Sequence, residues 1–114
     1  MSVKKKSNKK LSEPQLQRAS MLFATLSEPS RLRLLQALQE GSLSVGELVE
    51  ATGLSQANVS KHLTVLHGAR LVKKSRAGVF VNYELADSVV DQLCGLVCAK
   101  MERDLAEEAR ALNG

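Results

Sequence analysis

GLSQANVSKHLTVL, residues 53–66, sets a helix of small polar residues inside a chain built largely on Leu, Val and Ala. Gly53 supplies a tight turn and Ser55 a side-chain oxygen to cap the helix that follows. With Val59 marking the buried direction, Leu63 and Leu66 fall on the same side at 3.6 residues per turn. Ala57, Ser60, Lys61 and Thr64 fall opposite, and Gln56 and Asn58 lie near the exposed N-terminal end. That face carries short side chains, amides, hydroxyls and one lysine, and no acid.

The missing acids extend well beyond this helix. Between Glu50 and Glu84 the only charged or titratable side chains of note are Lys61, Arg70, Lys73, Lys74 and Arg76, with His62 and His67. After Glu84 the balance reverses: Asp87, Asp91, Glu102, Asp104, Glu107 and Glu108 outnumber Lys100, Arg103 and Arg110. The net charge of +4 is therefore split along the chain, with one face suited to a polyanion and another kept away from it. The major groove of double-stranded DNA admits such a helix, and its base edges accept hydrogen bonds from Gln, Asn, Ser and Lys. The opening MSVKKKSNKK carries five lysines and no acid. Residues 1–10 are expected to form a basic, disordered, solvated tail with loose phosphate contact, and residues 11–114 a single domain.

Flanking signals give the scaffold. Ser12 and Gln15 form a capping box around Pro14, after which Leu16, Ala19, Leu22, Phe23 and Leu26 recur at helical spacing. In SEPSRLRLLQAL, Ser27 is expected to cap a second helix, with Leu32, Leu35 and Leu38 as its buried stripe and Gly41 as a left-handed C-cap. Ser44 and Glu47 make another capping box. LVKKSRAGVFVNYEL changes period from 3.6 to 2, with Val79, Val81, Tyr83 and Leu85 alternating and Arg76–Gly78 as the hairpin turn. Asp87 opens a long final helix. The expectation is a mainly α, α+β fold: a winged helix-turn-helix of about five helices with a two-stranded β-hairpin wing.

TLSEPSRLRLLQAL, SVGELVEATGLSQANVSKHLTVL and FVNYEL resemble the ArsR/SmtB family of bacterial winged-helix repressors, over roughly residues 15–105. The resemblance implies a homodimer, joined through the first and last helices, that binds an inverted-repeat operator in double-stranded DNA and is released by an inducer. The inducer is a metal or metalloid ion, or in some members an oxidant or sulfur species. Carried over by position, residues 55–67 are the recognition helix, with Ser55, Gln56, Asn58, Ser60, Lys61 and His62 as DNA contacts and Arg76 at the wing tip. Glu50, Leu54, Val59 and Leu63 belong to the packing of the motif. His62 lies on the helix flank beside the buried stripe, so it is either packed or a phosphate contact. The chain departs from the family where Arg70 replaces a common Gly and where Val79 stands at a wing position often basic.

The family's inducer sites are mostly absent. Ser44 occupies the place of a thiolate ligand on the third helix and is better explained as a cap. Asp87 matches the first position of the zinc site on the last helices, but Val89, Lys100 and Arg103 hold the others, and one carboxylate cannot hold Zn²⁺. CGLVC remains. Cys94 and Cys98, one turn apart, project from the same side and suit a soft ion such as As(III) or Cd(II), a third sulfur coming from a partner subunit or a small thiol. A disulfide or polysulfide bridge is the other option: the Cα atoms of an i,i+4 pair lie about 6 Å apart, but the Cβ directions require the turn to distort. Against both stands packing, because Leu93, Cys94, Val97, Met101 and Leu105 form one apolar stripe and free Cys is commonly buried. Sensing and packing both remain open here. So does a regulator with no inducer site, acting as an activator or antirepressor or controlled by its abundance.

Other classes are excluded more firmly. No Gly-rich phosphate loop, Ser/His/Asp set or paired carboxylates occur, so an enzyme is not expected, and no catalytic residues or required cofactor are assigned. No apolar run approaches the ~18 residues of a membrane span, and a polar LSEPQLQR follows the lysines where a signal peptide would be apolar. Two cysteines in 114 residues are no secreted disulfide framework. A cytoplasmic protein is expected. A winged helix serving only protein–protein contact is the remaining alternative, and it has no need of an acid-free helix.

Overall fold

A computed structural model of the chain describes residues 10–113. The basic tail of residues 1–10 lies outside them, Lys10 excepted. The elements run α1 (Glu13–Leu26), α2 (Pro29–Leu38), β1 (Leu43–Ser44), α3 (Val45–Thr52), α4 (Gln56–Gly68), β2 (Val72–Ala77), β3 (Phe80–Leu85) and α5 (Ser88–Asn113). The sheet is antiparallel in the order β1-β3-β2. Its hairpin was legible, but the two-residue β1 was not: Leu43 pairs with Tyr83 and Ser44 with Asn82, across some forty residues of chain. Five helices and a winged hairpin are present as expected, with β1 as an added third strand.

Local chemistry explains most element boundaries. Ser12 and Gln15 exchange both hydrogen bonds of a capping box at the start of α1, and Ser44 and Glu47 do the same at α3. Gly53 ends α3 in the left-handed conformation at φ +74°, as its position demands. The Asp87 carboxylate accepts the Val90 N–H at 3.0 Å and opens α5. Three boundaries differ from expectation. Ser27 closes α1, and Glu28 caps α2, accepting from the N–H groups of Ser30 at 2.6 Å and Arg31 at 3.2 Å. Pro29 occupies the first turn, so the residue before it must supply the cap, and a carboxylate also complements the positive helix end. Gly41, at φ +140°, lies in the bend beyond the end of α2, its N–H donating to the Leu38 carbonyl at 3.1 Å, and the C-cap is Gln39 instead. The hairpin turn is Gly78-Val79, which leaves Arg76 paired with Val81 inside the ladder.

The core lies between α2, α3, α4 and the base of the wing. Leu34, Leu35 and Leu38 of α2 meet Leu48 of α3, and Val59, Leu63 and Leu66 of α4. Leu71 and Val72 close it from the wing, and Val90 from α5. Leu32 belongs to the outside: it is 44% exposed, whereas Leu34 is fully buried. Four leucines in seven residues permit two stripes, and the one centred on Leu34, Leu35 and Leu38 faces α3 and α4. α1 contributes no buried residue and α5 only Val90. No helix among the described residues is long and apolar enough to cross a membrane.

Candidate nucleic-acid interface

α3 and α4 are joined by a turn that the sequence specifies atom by atom. The Thr52 hydroxyl donates to the Leu48 carbonyl at 2.6 Å and accepts the Leu54 N–H at 3.3 Å. Gly53 reverses the chain, Leu54 packs against the core, and Ser55 Oγ accepts the Asn58 N–H at 3.1 Å to start α4. Val59, Leu63 and Leu66 then anchor the inner side of α4, each at most 1% exposed. The orientation of the outer side follows from that anchor.

Gln56, Ala57, Asn58, Ser60, Lys61 and Thr64 are all exposed on this outer side. The Thr64 hydroxyl is occupied by the Ser60 carbonyl at 3.0 Å, and Lys61 forms no ion pair among the described residues. The amides of Gln56 and Asn58, the Ser60 hydroxyl and the Lys61 ammonium are thus available to an external acceptor. Thirteen residues make a rod about 20 Å long. With short side chains on one face, it has the width a major groove of about 12 Å receives.

His62 differs from the rest of the set. It is 6% exposed, on the packed side of α4, and its Nδ1 accepts a hydrogen bond from Arg31 Nε at 3.3 Å. That burial and that bond favour the packed alternative over a phosphate contact. The reason is angular: His62 adjoins Leu63 and stands three residues from Val59, inside the buried arc. On the wing, Lys73, Lys74 and Arg76 are exposed along β2, Lys73 lying 3.9 Å from Glu84. The tip itself is Gly78-Val79, with Val79 86% exposed, so Arg76 stands just short of it.

The cysteines lie elsewhere, on α5. Cys94 is half-buried against the core, and Cys98, one turn further, is exposed. Burial pushes the Cys94 thiol above its ordinary range, and the negative charge of Asp91 adds to the effect. Both line a groove of about 520 Å³, walled by Phe23 and Leu26 of α1, Leu32 and Gln36 of α2, and Val97 and Met101 of α5. Among the described residues no group of three His, Cys, Asp or Glu side chains converges on a metal-sized site. The Cys94/Cys98 pair therefore has no third His, Cys, Asp or Glu converging on it among the described residues of one chain. The groove was not foreseen, because it is lined by residues of three helices distant in sequence.

Comparison with known proteins agrees with this architecture. Residues 28–74 match the family model described as bacterial regulatory protein, arsR family. A transcriptional repressor SmtB homolog from Synechocystis is 42% identical over 83 residues, which are 73% of this chain and 63% of that protein. The HTH-type transcriptional regulator Rv0081 of Mycobacterium tuberculosis is 33% identical over 103 residues, 90% of each chain. Its crystal structure superposes with a TM-score of 0.78, covering 86% of this chain and 99% of that one. The solution structure of the homodimeric winged helix-turn-helix DNA-binding domain Mb0332 from Mycobacterium bovis is 26% identical, with a TM-score of 0.78, covering 85% of this chain and 93% of that one. The chain belongs to the ArsR family of bacterial regulatory proteins, a family of DNA-binding transcriptional regulators and not of enzymes.

Proposed function

We propose that the chain is a homodimeric repressor that inserts α4 of each subunit into successive major grooves of an inverted-repeat operator. The observation that carries this reading is the outer side of α4: exposed, polar, free of acids, and held by three buried side chains behind it. Gln56, Asn58 and Ser60 would read base edges and Lys61 a base or phosphate, while Ser55 at the helix start and Arg76 on β2 would contact the backbone. The apolar residues left open on α1 and α5 support the dimer, as does the homodimeric state of the mycobacterial domain of the same fold. Two recognition helices one helical turn apart on DNA, about 34 Å, require such a pairing.

Release by a thiol-directed signal at Cys94 and Cys98 is the second part of the proposal, with a soft ion such as As(III) or Cd(II), an oxidant or a reactive sulfur species as the inducer class. It rests on both thiols opening into one groove on the helix that would build the dimer. A reading in which the cysteines only pack is favoured by one observation, the contact of Cys94 with the core.

Fluorescence anisotropy of the reduced protein on its own promoter DNA separates these. Gln56→Ala should weaken binding by about 1–3 kcal/mol and blur preference for one base, whereas Lys61→Ala should also lower the salt slope by about 0.9. Unchanged affinity in both variants would count against the docking of α4. Arsenite, cadmium, zinc, peroxide and polysulfide are then added in turn to the complex, beside a Cys94→Ser/Cys98→Ser control. Release by one agent, lost in the control, identifies the signal; release by none assigns the cysteines to packing.

A further inference from the structure

Arg31 lies three, four and seven residues before Leu34, Leu35 and Leu38, which puts it on the core-facing side of α2 and not among the solvated charges. Its guanidinium is committed in two directions. Nε donates to Nδ1 of His62 at 3.3 Å, and Nη1 donates to the Thr25 carbonyl at 3.2 Å. Each acceptor has a reason to need it. His62 is the buried polar side chain of the core, and a ring nitrogen left without a donor there would be costly. Thr25 is in the last turn of α1, and the residue four further on, whose N–H would ordinarily bond its carbonyl, is Pro29, which has none.

One side chain on α2 therefore joins the end of α1 to the recognition helix. α1 and the end of α4 otherwise face each other across an open groove, lined by Ala19, Leu22 and Thr25 on one side and by Val65 and Gly68 on the other. α1 has no buried residue and meets the core only through the partly buried Leu22 and Leu26. Resting on the reading of α1 as part of the dimer frame and α4 as the DNA reader, we propose that Arg31 and His62 are positioning residues that fix α4 relative to α1 and thereby set the half-site spacing the dimer accepts. Arg31 always carries a proton on Nε, so Nδ1 of His62 must be the acceptor and a neutral ring holds its proton on Nε2. The pair has a defined donor sense that substitutions can keep or remove.

The test uses the full chain and its own promoter DNA, with the separation of half-sites changed by one base pair in either direction. Arg31→Met keeps the aliphatic stem and removes the donors. His62→Leu fills the volume and removes the acceptor, and His62→Asn retains an oxygen near the place of Nδ1. Wild type should lose at least about tenfold in affinity on the altered spacings, since one base pair rotates and shifts the half-site. Arg31→Met and His62→Leu, as folded dimers, should bind the three spacings within about threefold of one another, and His62→Asn should restore the discrimination. Nitrogen-15 spectra of the histidine rings should show an unprotonated, hydrogen-bonded Nδ1 at His62 that shifts in Arg31→Met. Arg31→Lys, which reaches one acceptor at a time, takes its place should Arg31→Met not fold, with the same expected relaxation.

A full spacing preference in folded Arg31→Met or Arg31→Lys dimers, with only the melting temperature lowered, would reduce the pair to a stabilising contact and overturn the proposal alone. Tight binding by wild type with no spacing preference would also overturn the proposal alone, whereas no binding at any spacing would remove the DNA reading beneath it.

Discussion

α4 and α5 carry the same apolar rhythm and spend it differently. In α4, Val59, Leu63 and Leu66 are buried to the last per cent, enclosed by α2, α3 and the wing. In α5, Leu93, Val97, Met101 and Leu105 repeat at helical spacing, yet Leu105 is 65% exposed and the 26-residue helix buries only Val90. α1 behaves like α5, with Phe23 63% exposed. Periodicity records that a helix has an apolar partner; it does not say whether the partner belongs to the same chain. The compact body of α2, α3, α4 and the wing satisfies its own stripes, whereas α1 and α5 present theirs outward. That contrast is what the proposed dimer explains.

The sharpest way to break the contrast is one leucine from each region. Leu66→Ala opens a cavity in a closed core and should cost about 2–5 kcal/mol in chemical denaturation, whatever the protein concentration. Leu105→Glu touches no core residue of its own chain, and its expected effect lies in association: a shift toward monomer in sedimentation, with loss of the concentration dependence of the melting temperature. An intact dimer at micromolar concentration for Leu105→Glu would show that the open stripe of α5 is not the interface, and the comparison would fail.

Cys94 and Cys98 sit on the border between the two regions and test it more gently. Burial and Asp91 disfavour the Cys94 thiolate, so in Leu105→Glu, where the groove is left uncovered, Cys98 should be alkylated by iodoacetamide before Cys94. Asp91→Asn removes the neighbouring charge and should speed the reaction at Cys94. In wild type, cover from the partner subunit should slow Cys98 relative to the monomeric variant. Peptide mass spectrometry over time reads all three, and Cys94 leading in the uncovered variant would contradict the burial order.

Legibility in the sequence followed the range of the interactions. Capping boxes, the Gly53 turn and the Ser55 cap are closed within three or four residues, so Ser12, Ser44 and Ser55 could be assigned from their neighbours alone. The outer side of α4 was legible for the same reason, since Val59, Leu63 and Leu66 determine it by rotation. Leu32 and Leu34 are equally placed by local spacing, and Leu34 takes the core only through contact with α3 and α4. β1, the Arg31–His62 bond and the cysteine groove depend on residues tens of positions apart, and nothing local signals them. His62 shows the boundary well: its angle on the helix leaves two readings, and a donor 31 residues away favours the packed one.

The smallest predicted effect concerns the seam where α4 leaves the body for the wing. The Arg70 N–H bonds the His67 carbonyl at 3.1 Å and the Leu71 N–H the Leu66 carbonyl at 2.9 Å, which together form a Schellman motif with Arg70 in its left-handed position at φ +64°. A side chain there costs about 1 kcal/mol that glycine would not, although glycine gives part of this back through the freedom of the unfolded chain. Arg70→Gly should therefore raise stability by somewhat less than about 1 kcal/mol in denaturant titration. Arg70→Ala keeps the strain and removes the charge, so it isolates the guanidinium. If both variants lower operator affinity and its salt dependence while only the glycine stabilises, the strained arginine is retained for a phosphate at the edge of the recognition helix. Gly and Ala variants of equal stability would mean instead that the left-handed residue is accommodated without strain, and the charge alone accounts for its presence.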